Sequence, residues 1–455
     1  MNPVQNHIGL VGLGVMGRNL ALNLRDHGMA VTAWDPWAEA RSWQADRIVV
    51  TDGIAALVSA LPRPRTIMLM VKAGAPVDEA IDLLRPLLDD GDIIVDGGNS
   101  RFSDTERRQE SLSVARIRFA GLGVSGGAEG ARSGPAMMLG CDDAAWRSLR
   151  PILGPVAAQA EGTACLERFG PGGAGHFVKM VHNGIEYAVM QAIAEVWHAL
   201  RFAGNSGHRD SANALKTAEQ GYLVEITREI LETADAETGV PLIDIVSDRA
   251  GHKGTGGWCL EAALDLGVPV PAIAAAMAMR QLSSMPHPRD RSPAARIGST
   301  ADLLHRAAGS AIDAATAIAL AQGFSLALTA AGRYGWDISI ERMARSWRAG
   351  SILRMPVLDR LTGGVSDPRA DFLPPALRRM MERNLPGLRE FTGAAIAAAA
   401  PAPVLGASLA WADSFQLTVL PTAMIQAQRD RFGAHGFGRT DRPGIHHGPW
   451  HDAAS

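Results

Sequence analysis

Residues 7–23 read HIGLVGLGVMGRNLALN, and no other stretch of the chain limits its fold as strongly. A short apolar run ends at Gly12, and a helix-spaced run opens at Met16. Gly12, Gly14 and Gly17 stand between them in G-x-G-x-x-G spacing. In a strand–turn–helix context each glycine has its own task. Gly12 permits the tight turn, Gly14 lets backbone approach a pyrophosphate, and Gly17 lets the helix lie close on the strand. The phosphates then meet free N–H groups at a helix N-terminus. The pattern predicts a dinucleotide site. Asp35, at the end of the next apolar run, stands where a carboxylate can accept ribose hydroxyls and repel a 2′-phosphate. It equally suits a turn before Pro36. Trp37 stacks on adenine or simply packs.

The first third continues this alternation. Apolar runs at 7–13, 30–34, 66–71, 92–96 and 119–124 are separated by helical patterns. They predict a Rossmann-type, doubly wound α/β sheet over residues 1–175. GPGGAG at 170–175 breaks regular structure. Beyond it, strand signals almost vanish. Long Ala/Leu/Met-rich helical patterns, as at 176–201, 311–334 and 338–347, predict an all-α domain over 176–431. Residues 432–455 are rich in Gly, His and Pro and have little periodicity, so they read as a tail that needs something to dock on.

Composition narrows the function classes. The net charge of −3 gives no basic field for nucleic acid or an anionic membrane. An acidic substrate would need a local cationic pocket. Three scattered cysteines, Cys141, Cys165 and Cys259, suit reduced thiols in a cytoplasmic protein rather than a disulfide framework or a zinc site. The N-terminus lacks signal-peptide texture. The Ala-rich stretch 393–412 contains Pro401 and Pro403, which favours a helix pair over a membrane span.

The most pointed chemical signal lies in 175–199, GHFVKMVHNGIEYAVMQAIAEVWHA. Lys179, His182, Asn183, Glu186 and Tyr187 fall at i, i+3, i+4, i+7 and i+8, on one helix face. One residue of each polar kind is what a ligand-lining face holds. The plain alternative is that Lys179 and His182 pair with Glu186 along the helix. Other segments suit anions. VSGGAEGAR offers Ser125, Gly126 and Gly127 as a nest of donors. IVDGGNS, with Asn99, follows a strand at the edge where open sheets bind ligands. GHKGTGGW carries Lys253 and Thr255, and QRDRFGAH carries Arg429 and His435.

In this order GLGVMGRNLALNL, MVKAGAPVD, VDGGNS, GVSGGAEGARSGP, GHFVKMVHNGIEY, GHKGTGGW, WRAGSILR and LPTAMIQAQRDRFGAH resemble the 6-phosphogluconate dehydrogenase family over nearly the whole chain. The resemblance implies oxidative decarboxylation of 6-phosphogluconate to ribulose 5-phosphate and CO2 with reduction of NAD(P), in sugar-phosphate or gluconate breakdown. It makes Lys179 the general base and Glu186 the acid. Asn99, Ser125, Gly126, Gly127, His182 and Asn183 would hold the carboxylate and hydroxyls. Tyr187, Lys253, Thr255, Arg280 and Arg429 would hold the 6-phosphate. Gly12, Gly14, Val15, Met16 and Gly17 would line the dinucleotide with Asp35, and Val71, Lys72, Ala73 and Asn99 would complete that site. The resemblance also implies a homodimer in which each tail, with Arg429 and His435, reaches the partner's site.

The chain departs from the family at three places. Gly14 replaces a common Ala, Asp35-Pro36-Trp37 replaces a common Asn-Arg-Thr, and Gly257 replaces a common Lys. The second departure removes an Arg that serves a 2′-phosphate and favours NAD over NADP. Two alternatives stand beside this reading. One is a dehydrogenase for another β-hydroxy sugar acid, which would leave Lys253, Arg280 and Arg429 without a phosphate. The other is a silent dinucleotide-binding protein, which would have no use for Lys179 and Glu186 together.

Overall fold

The computed structural model describes residues 6–451, apart from 44, 203–205, 252–253, 287–300 and 364–371. It resolves into two compact units, residues 1–408 and 409–455.

The first unit begins with β1 (His7–Val11), β2 (Ala30–Trp34), β3 (Ile48–Val50), β4 (Thr66–Leu69), β5 (Ile93–Asp96), β6 (Arg118–Ser125) and β7 (Ala136–Gly140). A small ribbon, β8 (Gln159–Ala160) with β9 (Thr163–Ala164), precedes β10 (Leu166–Gly170). The main sheet has eight strands in the order β10-β7-β6-β5-β4-β1-β2-β3. All its pairings are parallel except β6 with β7. The order reverses between β1 and β4, and that switch point opens the crevice where such sheets bind ligands.

The strands are apolar because both sheet faces are covered. Successive side chains point to opposite faces. Met68, Val95 and Leu122 join one core with Ile8 and Leu10. Ile67, Leu69, Ile94 and Phe119 join the other with Val11. The five runs expected as strands are present as β1, β2, β4, β5 and β6. No sequence signal announced β7. AMMLG has no β-branched residue, so its strand state comes from burial between β6 and β10 rather than from propensity.

After β10 the described elements of this unit are helical. Ala174–Phe202 runs 29 residues and carries the polar stripe. Ala301–Tyr334 begins well before the periodicity suggested and packs against Ala174–Phe202 and Pro375–Ala397. By length and composition it could cross a membrane, but 83% of its apolar window is buried inside this fold. The Ala-rich stretch forms the end of Pro375–Ala397 and the start of Pro403–Ser414, parted where the prolines interrupt hydrogen bonding.

The second unit contains the helix Thr422–Gly433 and a ribbon of β11 (Phe437–Gly438) with β12 (Ile445–His446). The tail does dock, and on the helix just before it. The Asp430 carboxylate is fully buried and accepts from Gly436 N, His447 Nδ1, Gly448 N and Trp450 Nε1 at 2.7–3.0 Å. Burial alone would raise this carboxyl, but the donors outweigh it and hold it below the ordinary carboxylate range. Arg429 and His435 flank this knot and are exposed.

Candidate active site

The fingerprint loop has the shape a pyrophosphate needs. Gly12 has φ +105°, and a Cβ there would stand 2.5 Å from Met70 O. A Cβ on Gly17 would stand 2.0 Å from Gly12 O, so only glycine lets the helix Val15–Asp26 lie so close. Gly14 has nothing within 4 Å on its Cβ side. It starts the helix with no side-chain cap, and Val15 beside it is exposed. These uncapped N–H groups fit an anionic dinucleotide. Met16 is half-buried against the sheet core. Val71 and Ala73 are half-buried, and Lys72 is exposed, on the loop after β4.

Asp35 is only 5% exposed. Its Oδ2 accepts from Leu13 N at 2.6 Å and its Oδ1 from Trp37 N at 2.9 Å. The carboxylate therefore splints the fingerprint loop to the end of β2, as the turn reading requires. Trp37 is 75% exposed and makes no packing core. Arg41 is the cation beside this turn, and its Nη1 is spent on Asp35 O and Pro36 O.

The polar stripe converges as its spacing suggested. His182 is completely buried and central. Its Nδ1 lies 3.4 Å from Lys179 Nζ, 3.4 Å from Asn183 Oδ1 and 3.5 Å from Glu186 Oε2. Its Nε2 is hydrogen-bonded to Ser125 Oγ at 3.2 Å. Asn183 Nδ2 donates to Thr255 Oγ1 at 3.2 Å. Thr255 opens the helix Thr255–Asp265, whose Gly256 passes so near Tyr187 that a Cβ would stand 2.8 Å from its ring. Arg280 sits over the Tyr187 ring at 3.8 Å. Ser125, Lys179, His182, Asn183, Glu186, Tyr187, Thr255 and Arg280 are thus one constellation. Gly126 and Gly127, both at positive φ, form the turn after Ser125. Asn99 is exposed on the loop after β5. Lys253 lies outside the described residues.

Burial sets the chemistry. It lowers the Lys179 amine from 10.5 to about 8, with Glu186 pulling the other way. The same burial, with Lys179 nearby, holds His182 well below its ordinary value. The imidazole is therefore neutral, and its approach to Glu186 is a polar contact, not an ion pair. Burial raises the Glu186 carboxyl, against the pull of Lys179 and Arg280. A weakened base and a weakened acid thus share one face, a pairing suited to proton transfer in both directions.

Sequence reasoning missed the wall opposite the stripe. WRAGSILR carried only the resemblance, yet Trp347 packs edge-on against His182 at 5.4 Å. Ile352 N donates to Ser125 Oγ at 3.4 Å. Gly350 O lies where a Cβ on Gly126 would be, 2.3 Å away. The glycines at 350 and 126 were the only signal of this close approach.

The model for the 6-phosphogluconate dehydrogenase C-terminal domain matches residues 175–450, and that for the NAD binding domain of 6-phosphogluconate dehydrogenase matches 7–169. The chain belongs to the 6-phosphogluconate dehydrogenase family. It is 40% identical to the decarboxylating 6-phosphogluconate dehydrogenase of Synechococcus elongatus, over 97% of this chain and 98% of that one. It is 38% identical to the NADP(+)-dependent decarboxylating enzyme of Bacillus subtilis, over 98% and 99%. Among solved structures, 6-phosphogluconate dehydrogenase of Plasmodium falciparum, described with NADP+ and with 6-phosphogluconate, superposes with a TM-score of 0.88 at 32% identity. That match covers 98% of this chain and all of that one.

Proposed function

We propose that this chain oxidises and decarboxylates 6-phosphogluconate to ribulose 5-phosphate and CO2, reducing NAD(P). The observation that carries the reading is the buried Lys179–His182–Glu186 cluster facing Ser125 and Thr255. Neutral Lys179 takes the proton of the 3-hydroxyl as C3 loses its hydrogen with the bonding pair. Bound in the fingerprint crevice, nicotinamide supplies the two-electron acceptor for that hydrogen. The 3-keto group now lies β to the carboxylate. Protonated Lys179 donates to its oxygen, and the electrons of the breaking C1–C2 bond flow toward that oxygen as CO2 leaves. Glu186 protonates C2 of the resulting enediol, while Lys179 takes back the hydroxyl proton. Each group ends in its opposite protonation state, ready for exchange with water.

Asn99, Ser125, Gly126, Gly127, His182 and Asn183 hold the carboxylate and hydroxyls in this reading. Tyr187, Lys253, Thr255 and Arg280 hold the 6-phosphate. Gly12, Gly14, Val15, Met16 and Gly17 hold the dinucleotide with Asp35, Val71, Lys72, Ala73 and Asn99. We favour NAD over NADP, because Asp35 at the end of β2 would put negative charge beside the 2′-position and Arg41 Nη1 is held by Asp35 O and Pro36 O. The Bacillus relative, which is NADP(+)-dependent, is the counterweight.

The functional form is a homodimer whose tails bring Arg429 and His435 to the partner's site. Phe415, Val419, Met424 and Phe432 are 62–75% exposed in the small C-terminal unit, and a second copy would cover them. The divisions at 1–175, 176–431 and 432–455 are functional ones, because the compact units are 1–408 and 409–455 and the helices Ala174–Phe202 and Thr422–Gly433 cross the two boundaries between them. A cytoplasmic site suits three free, buried cysteines. The test is turnover of 6-phosphogluconate against unphosphorylated gluconate. Strong preference for the phosphorylated acid supports the reading. Equal rates favour a general β-hydroxyacid dehydrogenase.

A further inference from the structure

Arg108 lies on the helix Phe102–Ser113, outside every segment assigned so far. Its side chain is 1% exposed. The guanidinium has five N–H groups, and five acceptors surround it. Nε donates to Asp78 Oδ1 at 2.9 Å. Nη1 faces Asp96 Oδ2 at 3.4 Å and Ser100 Oγ at 3.3 Å. Nη2 donates to Asp78 Oδ2 at 2.9 Å and Gly74 O at 3.0 Å.

These acceptors stand at two different loops. Gly74 ends the loop after β4, which carries Val71, Lys72 and Ala73, and Asp78 stands in the first turn of the helix Ala75–Leu84 that follows it. Asp96 and Ser100 bracket the loop after β5, which carries Asn99. Asp96 organises that loop further, accepting from Gly98 N at 3.0 Å and from Ser100 Oγ at 2.6 Å. The loops also touch directly, since a Cβ on Gly98 would stand 3.1 Å from Val71 O. The same helix reaches the catalytic one, where Thr105 Oγ1 is hydrogen-bonded to His176 Nδ1 at 2.7 Å. His176 lies one turn before Lys179.

Burying one guanidinium between two carboxylates is a costly way to hold a fold, because apolar packing would serve stability as well. What the planar fork adds is geometry, since it fixes both loops to one rigid body. We propose that Arg108 is a positioning residue that locks the loops after β4 and β5 in common register, and so sets the nicotinamide end of the dinucleotide against Lys179. This rests on the reading of those loops as the cofactor's.

Asp78→Asn keeps an amide oxygen as acceptor and leaves Asp96 as the charged partner, so it tests the clamp without leaving the buried Arg108 unpaired. Ser100→Ala removes one acceptor on the other loop, and Arg108→Lys keeps the charge but loses the fork. The measurements are reduced-nucleotide affinity by its fluorescence, without substrate, and the primary isotope effect with 3-deuterated 6-phosphogluconate. In Asp78→Asn, affinity should fall several-fold. kcat should fall roughly 10- to 100-fold, as misplacement by about an ångström does, and the isotope effect should rise as hydrogen transfer becomes limiting. Arg108→Lys should follow it, and Ser100→Ala should show a smaller change of the same kind. Affinity and isotope effect within about twofold of wild type in folded Asp78→Asn and Ser100→Ala proteins would overturn the proposal. Failure of the wild-type chain to bind nucleotide would instead overturn the cofactor reading beneath it.

Discussion

Gly123 lies directly beneath Lys179: a Cβ built on Gly123 would stand 2.4 Å from Lys179 Cβ and 3.0 Å from its Cγ. Strand β6 and the helix Ala174–Phe202 meet here at a distance only glycine permits. The contact fixes the root of the Lys179 side chain.

Gly123→Ala should therefore move the helix rather than a flexible side-chain tip. A loss of about 1–3 kcal/mol in stability is expected for such overpacking. A further loss in kcat of roughly 10- to 100-fold should accompany it, with nucleotide affinity retained. Calorimetry, nucleotide titration and steady-state rates check the three parts. Unchanged kcat would mean that Lys179 is not held by this contact.

The Lys179 amine loses its proton at about 8 in the folded chain, against 10.5 for a free lysine. kcat/KM should rise with pH toward that value on the side controlled by this base. Lys179→Met should cost roughly 10²- to 10⁴-fold in kcat and erase that limb. The unfolded chain binds more protons than the folded one between about 8 and 10.5, so wild-type stability rises with pH across that window. Below it the buried charge costs on the order of 3 kcal/mol. Lys179→Met should therefore be more stable than wild type at pH 7 and lose that advantage near pH 10.5. Denaturant melts across pH provide the check.

Asp35→Ala removes the acceptor of Leu13 N and Trp37 N. Leaving the buried Leu13 N–H unpaired should cost about 1–3 kcal/mol. KM should rise for both nucleotides. The rise should be steeper for NAD, because the repulsion of a 2′-phosphate disappears at the same time. Equal losses would remove Asp35 from the discrimination and leave it as a splint.

Asp430→Ala frees four donors of the C-terminal unit at once. Trp450 fluorescence should change as its indole loses its acceptor. KM for 6-phosphogluconate should rise at least several-fold, roughly the loss of one charge-assisted contact, with binary nucleotide affinity unmoved. An unchanged KM would mean that Arg429 and His435 do not depend on the knot.

Local patterns made much of this legible. The fingerprint glycines, the strand runs and the helical stripe are each short-range signals with a fixed period. They led to β1, β2, β4, β5 and β6 and to the cluster on Ala174–Phe202. Contacts made across long sequence distances stayed hidden. Trp347 against His182, Gly350 against Gly126, and Arg108 between Asp78 and Asp96 exist only after folding, and their residues look ordinary in sequence. Asp35 shows the same limit from another side. Its position was readable, but the two backbone donors that bury it were not.

The most direct test of the central claim is to measure reduced nucleotide and CO2 together during turnover of 6-phosphogluconate, with NAD and with NADP. One CO2 per reduced nucleotide, with higher kcat/KM for NAD, is the expected result. Reduced nucleotide without CO2, or no turnover with either nucleotide, would contradict the assignment of oxidative decarboxylation to Lys179 and Glu186.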